Sequence, residues 1–220
     1  MVVVAEQAVK RWSMSNQPEE TFLQEHFEYY QAWHHWLGKA VKLKRAALIL
    51  YRADLPDLRL YGKAYKKAEK EVGDEGKALI RHRHPDMLPA FSMFGSALEN
   101  LFKGLMVSKN PGLIGANKLS PSLKSHDLVQ LAKDAGVKLN AQETRLLEWM
   151  SEVVIWKARY SVPTNIKFGD AFFHRLDNTT LADAKACIKI LEAIFARTKK
   201  QLPRLKRISD GFDLLIAWKE

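Results

Sequence analysis

Along most of this chain the apolar positions recur close to every 3.6 residues, and strict apolar–polar alternation is almost absent, so the pattern predicts helices. Asn16-Gln17-Pro18-Glu19-Glu20 reads as a helix start, with Pro18 in the first turn and two acids complementing the helix dipole. A helix is expected from there to about Tyr51, with Phe27, Tyr30, Trp33, Leu37, Val41 and Leu48 on one face. Pro56 is expected to close it, because proline lacks a backbone donor and its ring clashes with the preceding turn. A separate Lys-rich helix follows from Leu58 to Val72 and ends at Gly73. Its polarity predicts that it is exposed or leaves the bundle as an excursion over residues 57–80.

The best-patterned segment is about 90–107, introduced by Pro85 and Pro89, where Phe91, Phe94, Leu98, Leu101, Phe102 and Leu105 hold the helical period. Residues 108–124 read as a basic loop with Lys109, Lys118, Lys124 and no acid. Ser125 is expected to cap a short helix carrying Leu128, Leu131 and Ala135, stopped by Gly136. Asn140 and Glu143 have the spacing of a capping box for the next helix, whose apolar face is Leu146, Leu147, Met150, Val153 and Val154. That helix is expected to reach about Tyr160, ahead of Pro163. A long loop over 161–177 follows, of a length that often carries function. The last helix starts near Asn178 or Thr179, presents Leu181, Ala184, Ile188, Leu191 and Phe195, and breaks before Pro203. The whole is an all-α, up-and-down bundle of about five helices in one domain (1–220). Its core is about 18–52 and 88–203, and 204–220 form a C-terminal tail with an apolar stretch from Phe212 to Trp218.

Composition narrows the class. The 220 residues are 47% hydrophobic and 10% aromatic, which excludes a disordered chain. A single cysteine, Cys187, excludes an internal disulfide and any Cys-based zinc cluster. Met1–Ala5 is too short an apolar run for a secretion signal and is interrupted by Glu6. No segment approaches the ~18 apolar residues of a membrane span, so a cytoplasmic protein without membrane contact is expected. The net charge of +10 is unevenly spread: residues 39–83 hold thirteen bases against six acids. Residues 197–207 hold six bases and no acid (Arg197, Lys199, Lys200, Arg204, Lys206, Arg207). Such clusters suit salt-sensitive contact with nucleic acid, and equally a merely solvated surface. Arg81, Arg83, Lys199, Lys200, Arg204, Lys206 and Arg207 are the candidate nucleic-acid contacts.

Three segments occur in order at short separations: Ala97-Leu98-Glu99-Asn100-Leu101-Phe102-Lys103-Gly104-Leu105, Ser125-His126-Asp127-Leu128-Val129-Gln130-Leu131-Ala132, and Trp156-Lys157-Ala158-Arg159-Tyr160-Ser161-Val162-Pro163. Together they resemble the HEPN superfamily (higher eukaryotes and prokaryotes nucleotide-binding), all-helical domains with an A-x-E-x-x-x-K pattern on the second helix. The resemblance implies a homodimer and a ligand set of Glu99, Lys103, Asp127, Arg159 and Tyr160, and His126 also matches its pattern. HEPN ribonucleases carry Arg, four to six residues, then His. No Arg of this chain has a His at that spacing, and the first one after Arg159 is His174. The departure points to the non-nuclease branch: a binding module for nucleic acid, nucleotide-related ligands or a nucleotidyltransferase-type partner, in a toxin–antitoxin or phage-defence setting. The alternatives are a ribonuclease with a rearranged site, Arg159 with His126 or His174, and a dimeric protein-interaction scaffold.

Each of these residues also has a structural reading. Glu99 and Lys103 at i, i+4 form a favourable helical ion pair, Arg159 can pair with Asp127 or Glu99, and His126 at a helix start can support a cap. His34 and His35 lie about 100° apart on a helix, too far around it to share one metal unaided. Arg81-His82-Arg83-His84 suits phosphate better than a metal. No cofactor or metal site is expected.

Overall fold

A computed structural model describes residues 32–72, 86–115, 118–154, 181–203, 205–208 and 214–217. They form six α-helices: α1 (Trp33–Val72), α2 (Leu88–Lys109), α3 (Pro121–Lys124), α4 (Leu128–Asp134), α5 (Ala141–Glu152) and α6 (Leu181–Lys199). A 3-10 turn, Pro111–Leu113, follows α2, and two short strands close the chain, β1 (Leu205–Ile208) and β2 (Leu214–Ala217). The fold class is all-α, as expected.

The bundle is organised around α2. Asp86 Oδ1 accepts from the Leu88 backbone N–H at 3.0 Å and Pro89 occupies the first turn, which together start the helix. Seventeen of its 22 residues are buried, so it is covered on nearly every side rather than along one stripe. Two glycines permit that. A side chain at Gly104 would meet Trp36 Cβ at 3.0 Å and the Trp33 carbonyl at 3.2 Å. One at Gly95, on the opposite side of the helix, would strike the Val154 side chain. The start of α1 and the end of α5 thus both approach the α2 backbone. T-shaped ring pairs tie α2 to its neighbours: Phe91 to Trp149 of α5 at 5.1 Å, and Phe94 to Phe195 of α6 at 6.5 Å.

Pro56 does not end the first helix. It lies inside α1, which runs unbroken over 40 residues, about 60 Å at 1.5 Å per residue. The reason is packing: Leu37, Ala40, Ala47, Tyr51 and Leu58 are all buried, and their spacing keeps one face on the bundle across the proline. The loss of one backbone hydrogen bond is outweighed by burial on both sides. The Lys-rich segment expected as a separate helix is therefore the second half of α1. Val41, expected on the inner face, is 42% exposed, because the buried stripe passes through Ala40 instead.

Other ends match local chemistry. The capping box expected at α5 is present: Asn140 Oδ1 accepts from Glu143 N, and Glu143 Oε2 accepts from Asn140 N, both at 2.9 Å. Gly136, at φ 73°, ends α4 in a Schellman motif, with Val137 N–H donating to the Ala132 carbonyl and Gly136 N–H to that of Lys133. The cap of α4 differs from expectation. Asp127, not Ser125, accepts from the Val129 and Gln130 N–H groups, and Ser125 Oγ accepts from Asp127 N–H one step earlier. The basic loop 108–124 also has internal order, with α3, the 3-10 turn and an Ile114–Leu119 bridge. The α5 helix passes into a π-type turn at Val153–Val154; its expected course to Tyr160 and the 161–177 loop lie outside the described residues.

The tail is not simply an apolar strip. β1 and β2 pair antiparallel, Leu205 opposite Ala217 and Ile208 opposite Leu214. The sequence Asp210-Gly211 between two apolar-containing runs is a hairpin signal that the helical pattern elsewhere overshadowed.

Candidate functional site

The first two motif segments meet. Lys103 and Glu99 lie one turn apart on α2, and Lys103 Nζ donates to Glu99 Oε1 at 2.7 Å. The side chains are only 5% and 11% exposed, so the pair is held away from water. The other carboxylate oxygen, Oε2, is 3.1 Å from His126 Nδ1, in the link just before α4. This imidazole is 48% exposed. Glu99 therefore joins α2 to the start of α4, with a base on each oxygen. The Lys103 ammonium also sits 6.0 Å from the ring centre of Trp36, which adds a cation–π contact on its α1 side.

Local structure fixes His126 in place. Asp127, the next residue, is committed to the α4 N-terminus through its carboxylate. Leu128 N–H donates to Ser151 Oγ at 2.8 Å, and Ser151 Oγ in turn donates to the Leu147 carbonyl, which anchors the same turn on α5. A carboxylate holding the Nδ1 side of an imidazole is the arrangement that orients a histidine for proton transfer. Here the same carboxylate also neutralises a buried ammonium, and that makes it an interhelical clamp.

Of the expected ligand set, the structure brings Glu99 and Lys103 together, with the catalytic candidate His126 on the same carboxylate, and gives Asp127 a capping role beside them. Arg159, Tyr160 and His174 lie outside the described residues, as do Arg81, Arg83 and Arg204. Lys199 and Lys200 are exposed at the end of α6, and Lys206 and Arg207 fall on β1. Among the described residues no grouping of three His, Cys, Asp or Glu side chains could hold a metal, and no helix is long and apolar enough to cross a membrane. The rings of His34 and His35 lie with their centres 4.2 Å apart, tilted by 42° to each other. Burial, with the neighbouring His35 adding to it, pushes His34 down to about 4, and burial lowers His35 as well.

Arg197 does not belong to the free basic cluster at 197–207. Its guanidinium forks onto both carboxylate oxygens of Glu143, at 2.8 Å from Nη2 to Oε2, and Nη2 also donates to the Lys138 carbonyl at 3.0 Å. The Arg197 hydrogen bond holds the Glu143 carboxyl below its ordinary range against the opposing effect of burial, and Glu143 raises Arg197 in return. Lys109 is likewise committed, donating to the Ala135 carbonyl at 2.6 Å. The sequence marked Asn140 and Glu143 by their spacing, but Arg197 is 54 residues from Glu143 and carries no local signal of the pairing.

No family model, curated protein or solved structure matches this chain.

Proposed function

We propose that this chain is a non-catalytic, HEPN-like binding module that acts as a homodimer on nucleic acid or nucleotide-related ligands, or on a nucleotidyltransferase-type partner. One observation carries the reading: the Glu99 carboxylate is shared between Lys103 Nζ at 2.7 Å and His126 Nδ1 at 3.1 Å. The motif residues of α2 and of the α4 start lie side by side, and the acid is spent on neutralising a buried lysine. A nuclease needs an imidazole free to exchange protons and a cation placed on the scissile phosphate. Lys103, the cation nearest this histidine's carboxylate, is only 5% exposed. Its burial supports binding through other, exposed bases.

The half-exposed ring of His126 favours a second reading, a metal-independent ribonuclease with a rearranged site in which Glu99 orients the histidine and Arg159 supplies the phosphate contact. Incubating the purified chain with structured and unstructured RNA separates the two. Intact RNA, together with retention on nucleic acid that weakens with salt, is the result expected of the binding module. Cleavage that is lost in both His126→Ala and Arg159→Ala, each shown to be folded, would establish the enzyme instead.

A further inference from the structure

The outer surface of α1 has a regularity that the helical core does not require. Arg45, Arg52, Arg59 and Lys66 follow one another at seven-residue intervals, and all four are exposed. On an α-helix this spacing stacks side chains in a slowly drifting row, each about 10.5 Å above the last and the whole row about 32 Å long. The adjoining row on the same helix adds Lys42, Lys63 and Lys70, also exposed, with Ile49 and Pro56 between them. Neither row contains an acid; the four acids of the helix, Asp54, Asp57, Glu69 and Glu71, fall at positions outside both rows. None of the four bases of the first row makes a hydrogen bond or ion pair among the described residues. Lys44, turned toward α6, does: it lies 3.3 Å from Glu192 and 5.1 Å from the Phe195 ring centre.

We infer that this double row is a binding edge for the phosphate backbone of duplex nucleic acid, recognised by charge and without regard to sequence. The inference rests on the nucleic-acid reading above and names the surface and the occupant. Charge complementarity selects a polyanion, since seven bases without an acid form a field that only a dense line of negative charge matches. The length of the row is close to the 34–36 Å of one duplex turn. Single strands are bound by stacking bases on aromatic rings interleaved with the cations, and these two rows contain no aromatic residue. A membrane-surface helix presents a continuous apolar face below its bases, whereas the exposed large apolar residues of α1, Val41, Ile49, Leu50, Leu60 and Tyr65, are spread around the helix. The regular heptad spacing suits a stiff, periodic partner better than a flexible acidic peptide.

The test is a salt titration of affinity for the full chain and labelled RNA and DNA duplexes two helical turns long. Arg45→Gln/Arg52→Gln/Arg59→Gln should weaken binding and reduce the magnitude of the log–log salt slope by roughly 3, about 0.9 for each lost phosphate contact. Lys133→Gln/Lys185→Gln, which removes exposed bases from other helices, should leave it unchanged. Circular dichroism melts check that every variant is folded. Unchanged duplex affinity in the triple variant would reject this edge and leave nucleic-acid binding elsewhere on the molecule intact. Tighter binding to single strands than to duplexes would reject the occupant. If the wild type ignores duplexes even at low salt but binds phosphatidylserine-containing vesicles, the edge is a membrane contact and the nucleic-acid reading falls with it.

Discussion

The bases of this protein divide into two populations that composition cannot tell apart. At contacts between elements, Lys103, Lys109, Lys44 and Arg197 each have a partner: a carboxylate, a helix-terminal carbonyl, a ring face or a forked acid. Along the outer face of α1, Arg45, Arg52, Arg59 and Lys66 are exposed and make no such contact among the described residues. A net charge of +10 counts both alike. The contrast shows that a basic cluster informs on function only after the bases that hold helices together are set aside. Arg197 is the instructive case, since by sequence it belongs with its neighbours Lys199 and Lys200, and by contact it belongs with Glu143.

The largest effect that separates the two populations is expected at the buried clamp. Glu99→Ala leaves the Lys103 ammonium buried without its counter-charge and should cost about 3–5 kcal/mol in urea unfolding. Replacing both residues by methionine should recover most of that loss, because the desolvation cost disappears with the charges. A single-variant loss near zero would mean that water reaches the pair.

A gain is expected from Pro56→Ala. The proline is exposed inside a continuous helix, and replacing it restores one hydrogen bond and removes a clash, worth up to about 3 kcal/mol in a helix interior. A fall in melting temperature would show instead that the proline itself is needed to seat Tyr51 and Leu58 together. Arg197→Ala should cost about 1–3 kcal/mol, since Glu143 Oε1 is left unpaired and Oε2 keeps only the Asn140 N–H.

Acid titration of stability tests the same contacts with a definite sign. Glu143 titrates lower when folded than its ordinary 4.5, so its contribution is fully present above 4.5 and is lost as pH falls through the depressed folded value. Arg197→Ala should flatten that limb. His34 acts at higher pH: between 6.5 and about 4 the unfolded chain takes up a proton that the folded ring refuses, so stability declines on acidification through that window. His34→Gln should reduce the decline there and leave the lower limb in place. The smallest effect belongs to the outer edge, where the glutamine variants of Arg45, Arg52 and Arg59 should each change stability by no more than about 0.5 kcal/mol. A cooperative loss there would mean that these arginines are part of the fold, against the proposed contrast.

The sequence by itself determined what short-range chemistry controls. The helical period of Phe91 to Leu105 gave α2, the Asn140–Glu143 spacing gave the α5 cap, Gly136 gave the end of α4, and the i, i+4 spacing gave the Glu99–Lys103 pair. Each depends on residues within about one or two turns of each other, where backbone geometry fixes who can meet whom. The His126 contact with Glu99 was not legible, since nothing local brings residues 27 apart together. Tertiary packing alone decided the rest. Pro56 stays helical because Leu58 and Tyr51 are buried on either side of it. Val41 faces outward because the small Ala40 and Ala47 let α1 lie close. Arg197 leaves the basic cluster because the fold carries it to Glu143. These outcomes turn on burial summed over many long-range contacts, which outweighs a single proline or a single charge and leaves no mark at any fixed spacing in the chain.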